Sequence, residues 1–233
     1  MNSQDTTLRR ATAAPLPRIG GAAAHPPEVQ RVLRNTYGLL GLTLLFSAGV
    51  AAATAALGLP HPGILLSLGG MFGLLFLTAR LANSAWGLLA VFALTGFMGY
   101  TLGPVIGRVL SFPGGAQVVT MALASTAVTF FALSAWVLTT KRDFSFMGGF
   151  LFAGMVIALL AGIGAWAFEI PALALAVSAI VVLLSAGLIL FESSRIVSGG
   201  ETNYVMATVG LYVSIFNLFS GLLSLFGAGG SDD

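Results

Sequence analysis

The sequence predicts an all-α integral membrane protein, a bundle of seven transmembrane helices, on three observations. Hydrophobic residues make up 57% of the 233 residues, charged residues only 8%, and long apolar runs recur between short breaks. A soluble domain keeps roughly a quarter of its residues charged so that its surface stays solvated. With 8%, a globule of this size cannot be coated in water. Lipid is its solvent.

The chain opens differently from the way it continues. From Met1 to about Gln30 it carries Pro15, Pro17, Pro26 and Pro27, many small residues, and Arg9, Arg10 and Arg18. No apolar run or periodicity is evident there, so residues 1–30 are expected to form a disordered cytoplasmic tail. It is not a signal peptide, because no apolar core and small-residue cleavage site follow the arginines. The membrane domain is expected over 31–228, with a short tail at 229–233.

A helix needs about 20 apolar residues to cross the hydrocarbon core. Seven stretches qualify, over residues 37–57, 63–79, 85–106, 116–138, 146–168, 172–191 and 204–226. Between and within them lie stop signals: Gly58-Leu-Pro60-His-Pro62, Pro104, Pro113-Gly-Gly, Lys141-Arg-Asp143, Pro171 and Ser198-Gly-Gly. Breaks this short make neighbouring helices antiparallel. No internal repeat is visible, so an inverted-repeat transporter has no support.

Basic residues set the expected direction. With a cytoplasmic amino terminus, nine of the ten Lys and Arg lie inside and only Arg108 lies outside. The carboxyl terminus is then outside. A re-entrant last stretch would return it inside without altering that count. Tyr37, Trp86, Trp136, Trp166 and Tyr204 fall near helix ends, where amphipathic rings favour the headgroup level.

In lipid, helices meet through close backbone approach. Gly96, Gly99, Gly103 and Gly107 offer such a seam in the third stretch. In the last stretch, Ala207, Gly210, Ser214, Asn217, Gly221 and Ser224 form one continuous small stripe. The opposite face is Val209, Tyr212, Phe216, Phe219 and Leu223. Such a helix sits centrally, or else at the periphery on a single seam.

Few residues could carry chemistry. There are no cysteines, and His25 and His61 both adjoin prolines in expected loops. No cofactor or metal site is expected. The net charge of +2 is not gathered into a basic face, so a nucleic-acid partner is excluded. No span contains an Asp or a His, and no Ser-His-Asp set or phosphate loop appears, which argues against an enzyme.

An acidic group at membrane depth costs ~2.5 kcal/mol or more and is a functional hypothesis by default. Glu192, in Leu190-Phe-Glu-Ser-Ser-Arg195, is the one candidate. As a last-turn carboxylate it would oppose the helix dipole, and Arg195, three residues on, can pair with it. Two readings stand: a proton- or ion-sensing group, or a snorkelling pair that only anchors the helix. Ser198-Gly-Gly-Glu201 has the form of a capping box, while Thr202 or Asn203 serves equally as N-cap. Asp143 or Ser145 can cap the fifth stretch.

Specific motifs then point to a family. Arg31-Val-Leu-Arg-Asn-Thr-Tyr37, Leu77-Thr78, Thr95-Gly-Phe97 through Gly103-Pro104, Val137-Leu-Thr-Thr-Lys141 and Gly199-Gly-Glu-Thr-Asn-Tyr204 resemble the Bax inhibitor-1 family, in its bacterial YccA subgroup. The similarity runs from about Glu28 to Phe226 and is most specific from Phe191 onward. It implies a last helix wrapped by six others, in a bacterial inner membrane. Some members are pH-sensitive calcium leaks with an acidic pair joining the sixth and seventh helices. Glu192 matches the first of those positions, but the second falls on Ser214, and Asn217 lies one turn further along the same stripe. A divalent cation wants several charged oxygen ligands, so calcium conduction is not carried over.

The YccA-like members are instead associated with FtsH, a membrane-bound AAA protease, as a competing substrate that restrains it. Its HflK/HflC companions are implied partners beside membrane lipid. A non-enzymatic modulator of FtsH is therefore the expected function. The alternative is a cation or proton leak using Glu192.

Overall fold

In the computed structural model, which describes residues 27–229, seven helices are long and apolar enough to cross a membrane. They are α1 (Pro27–Ala56), α2 (Ile64–Leu81), α3 (Trp86–Leu110), α4 (Gly115–Thr140), α5 (Gly148–Ala167), α6 (Pro171–Val197) and α7 (Tyr204–Gly229), with a 3-10 turn at Ser145–Met147 before α5. No strand occurs among the described residues.

The first helix starts ten residues before the apolar run does. Pro27 opens α1 and Glu28 lies in its first turn, both favourable there. Val29, Val32, Leu33 and Thr36 then recur at helical spacing while Arg31 and Arg34 face out. α1 therefore begins four residues ahead of Arg31, the expected start of the membrane domain, and the rest of the expected tail, 1–26, lies outside the described residues. At the other end Gly229 belongs to α7, leaving 230–233 outside them.

Two further expectations change. Pro104 does not stop a helix but sits inside α3. A proline costs the carbonyl four residues earlier its donor, which a bundle in lipid tolerates because neighbouring groups re-satisfy the backbone. The sixth helix continues past residue 191 to Val197, so Glu192 is not in its last turn.

α7 is the axis of the bundle. It packs against α1, α3, α4 and α6, and twelve of its 26 residues are buried. These include Ala207, Ser214 and Gly221 from the small stripe, and Val209, Tyr212, Phe219 and Leu223 from the opposite face. Burial on both faces rules out a peripheral helix on one seam. By contrast α2 buries only Thr78, and it rests on α3.

Glycines set the closest approach. Gly96, Gly99, Gly103 and Gly107 all face α1. A Cβ at Gly103 would stand 2.7 Å from the Ala51 carbonyl oxygen and would overlap the Thr54 side chain. Near the middle of the bundle, Tyr212 Oη lies 2.6 Å from Ser47 Oγ and donates to the Thr95 carbonyl at 3.3 Å. One buried phenol thus ties α7 to α1 and α3.

Successive helices run antiparallel, which brings Arg31, Arg34, Arg80, Lys141, Arg142 and Arg195 to one end and leaves Arg108 at the other. Trp86, Trp136 and Trp166 are exposed near helix ends, as anchoring requires. Tyr37 is not an end anchor: its ring packs 6.1 Å from Phe130 and its hydroxyl is buried without a partner.

Candidate functional site

The polar groups of the bundle converge where α6 ends and α7 begins. Gly199, at φ +76°, turns the chain in the left-handed conformation that ends many helices, and the Glu201 amide donates back to the Arg195 carbonyl at 3.1 Å. This turn folds Glu201 over the end of α6. Arg195 then lies between two carboxylates, 3.1 Å from Glu201 Oε2 and 3.7 Å from Glu192 Oε2. The guanidinium also sits 5.5 Å from the centre of the Phe191 ring.

The shorter contact is to Glu201, not to the expected partner Glu192. Arg195 occupies the last turn of α6, where a cation is favoured by the helix dipole. Glu192, almost a turn earlier, has a side chain only 14% exposed, and its carboxyl rests on the backbone of α7. A Cβ at Gly210 would stand 2.7 Å from Glu192 Cδ and 2.9 Å from each oxygen. Gly210 in the small stripe is therefore the space that the carboxyl fills.

Ser214 is buried one turn beyond, its Oγ donating to the Gly210 carbonyl at 2.9 Å. Asn217 is half-buried, about 10 Å along the helix from Gly210. Of the candidate sensing residues, Glu192 and Arg195 thus meet directly. Ser214 adjoins them through Gly210, and Asn217 lies apart.

Asn203 is the N-cap of α7. Its Oδ1 accepts from the Val205 and Met206 amides at 2.9 and 3.2 Å, while its Nδ2 donates to the Ala82 carbonyl and to Asn83 Oδ1. Glu201 Oε1 accepts from the Asn203 amide at 3.0 Å. The Ser198 capping box does not form, because Ser198 Oγ turns back to the Arg195 carbonyl. The Gly199-Gly-Glu-Thr-Asn-Tyr204 motif is therefore a clamp. Gly199 and Gly200 make the turn, Glu201 holds Arg195, and Asn203 starts α7 while gripping the α2–α3 loop. Thr202 is exposed and Tyr204 is the first residue of α7.

The α4–α5 loop joins the same end. The Phe144 amide donates to Ser194 Oγ at 3.2 Å, and the Ser145 amide to Asp143 Oδ1 at 2.8 Å. Hydrogen bonds from Ser145 hold the Asp143 carboxyl below its ordinary value of 3.8. Neither Asp143 nor Ser145 caps α5, whose N-cap position is Met147 with no side-chain hydrogen bond; Asp143 instead closes a local turn on the Ser145 amide ahead of the 3-10 turn.

Sequence reasoning missed the Arg195–Glu201 pair. Its signal was a glycine pair between two opposite charges, short enough to fold one back onto the other. Chemically, the arrangement holds two carboxylates against one guanidinium.

A family model described as "Inhibitor of apoptosis-promoting Bax1" matches residues 29–231. The chain belongs to the Bax inhibitor-1 family. Within it, the chain is 52% identical over 205 residues to the "Modulator of FtsH protease YccA" of Escherichia coli strain K12, covering 88% of this chain and 93% of that protein. It is 53% identical over 216 residues to an uncharacterised protein of Pseudomonas aeruginosa, covering 93% and 97% of the two chains. A Neisseria meningitidis relative is 34% identical over 210 residues, covering 87% and 92%. The Gly199–Tyr204 clamp lies inside the stretch matched by the Bax inhibitor-1 model.

Proposed function

We propose that this protein is a non-enzymatic modulator of a membrane-bound AAA protease of FtsH type, acting as a substrate that competes for it. The observation that carries this is the 52% identity, over 88% of the chain, to a protein named as a modulator of FtsH protease. The fold supports it. An unfoldase needs a segment to grip, and termini without packing are where such engagement concentrates. The polar stretch ahead of Pro27 contains no span-length apolar run and leads into α1 at the same end as the clamp.

Extraction from that end pulls first on α1, which is held to α3 by the glycine seam and to α7 by Tyr212. A bundle closed in this way resists the pull and occupies the motor. The HflK/HflC companions of such a protease are proposed partners, and lipid is the solvent of the bundle. A cation leak through Glu192 has weaker support, because Arg195 lies beside the carboxyl.

Deleting Met1 to His25 tests the proposal. The truncated protein should fold, yet be degraded far more slowly than the full chain in membranes carrying the protease. Degradation at the full-length rate would remove the tail from the account. Direction is tested separately, since the chain has no cysteine. With a cytoplasmic amino terminus, Ser111→Cys reacts with an impermeant maleimide in intact cells and Ser145→Cys does not.

A further inference from the structure

At the Arg108 end of the bundle, α2, α3 and α7 leave a crevice of about 240 Å³ between them. Its walls are mostly carbon, with Leu68 and Met71 from α2, Met98 and Leu102 from α3, and Phe216 and Leu223 from α7. Val105 stands exposed on the α3 wall. Met71 is about 10 Å down α2 from its first residue, so the crevice occupies one leaflet of the bilayer.

Four polar side chains line it: His61, Ser67, Thr101 and Ser220. Two of them are already committed. Ser67 Oγ donates to the Gly63 carbonyl at 2.7 Å and Thr101 Oγ1 to the Met98 carbonyl at 2.8 Å. His61 Nδ1 accepts from the Gly63 amide at 3.0 Å, which leaves its other ring nitrogen. Ser220 Oγ is buried with no partner.

This volume corresponds to about eight waters, each needing two to four hydrogen bonds. The wall supplies four polar side chains among twelve, two of them with their donors already spent on the backbone, too few to hold a water cluster of that size. An apolar occupant fits instead, and in a membrane the apolar material at hand is the acyl chain.

The rim specifies the head of that occupant. Thr101, Val105 and Arg108 fall at i, i+4 and i+7 of α3 and share one face. Arg108 therefore stands on the crevice side, about one turn nearer the membrane surface than Val105. It is exposed, and among the described residues no carboxylate pairs with it. His61 adds its free nitrogen at the same end.

We propose that the crevice between α2, α3 and α7 holds one acyl chain of an anionic phospholipid whose phosphate lies at Arg108 and His61. The site explains why α2, with a single buried residue, stands against the bundle at this end. The lipid chain completes the contact that side chains leave open.

The test uses the full chain in nanodiscs of equimolar phosphatidylglycerol and phosphatidylethanolamine, released and weighed by native mass spectrometry. The wild type should retain one phospholipid per chain, with phosphatidylglycerol favoured about fivefold, the preference one exposed cation gives near a surface. Leu68→Trp and Leu102→Trp fill the crevice from two walls and should each lose the retained lipid while keeping the helical circular dichroism. Arg108→Gln lies outside the packed core. It should keep the lipid but bring the headgroup preference to about even. A wild type that retains no lipid, filled variants that retain it, or an Arg108→Gln protein with unchanged preference would each overturn the proposal.

Discussion

Gly210→Ala probes the contact on which the clamp end of the bundle depends. The added Cβ would stand 2.7 Å from Glu192 Cδ, whereas carbon atoms in contact settle near 3.5 Å or beyond. The carboxyl must retreat by roughly 0.8 Å, or α6 and α7 must part. Overpacking of this kind costs ~1–3 kcal/mol. Against it stands the gain of ~0.8–1.0 kcal/mol for Ala over Gly in a helix interior, so the single variant loses about 1 kcal/mol net.

The decisive comparison is the same change in a Glu192→Ala background, where the obstacle is absent. Helix propensity is common to both backgrounds and cancels, which leaves a coupling of ~1–3 kcal/mol. Titration with SDS from mixed micelles, followed by tryptophan fluorescence, measures all four corners of the cycle. Neighbours with no real contact add to within ~0.5 kcal/mol. A coupling that small would show that Glu192 does not lie on Gly210, and the geometry of the site would be wrong.

Other substitutions read the clamp and its surroundings. Arg195→Gln leaves Glu192 and Glu201 facing each other without their shared cation. With Arg195 one-third exposed, the loss should be ~1–3 kcal/mol. Asn203→Ala removes the N-cap of α7 and the grip on Ala82 and Asn83. It should cost about 1 kcal/mol or somewhat more, with faster hydrogen exchange in the α2–α3 loop. Asp143, with its folded value depressed by Ser145, favours the loop above 3.8 and loses that contribution as pH falls through the lower folded value. The Ser145 amide resonance should therefore titrate with a midpoint under 3.8, and a midpoint at or above it contradicts the turn.

The seven spans were legible because lipid leaves one strong signal, an apolar run of fixed minimum length. The same criterion hid the start of α1. Pro27, Glu28 and the Val29, Val32, Leu33 and Thr36 spacing announce a helix, but one that carries Arg31 and Arg34 and so fails as an apolar run. Pro104 misled for a related reason: a rule drawn from helices in water meets a bundle that holds a proline in place from its sides. At the site, the Glu192–Arg195 pair was readable from helical spacing alone. The Glu201 contact was not, because it depends on how a glycine pair folds the chain back after the helix has ended. The small stripe on α7 was visible, whereas Gly210 as the resting place of a carboxyl needed the packing of α6 against it.

Competition for a protease at the membrane can be measured directly. In vesicles carrying an FtsH-type protease and a labelled membrane substrate, added full-length protein should slow loss of the label in proportion to its amount. The same amount of protein lacking Met1 to His25 should restore most of the rate. Unchanged substrate loss across the whole titration would contradict it.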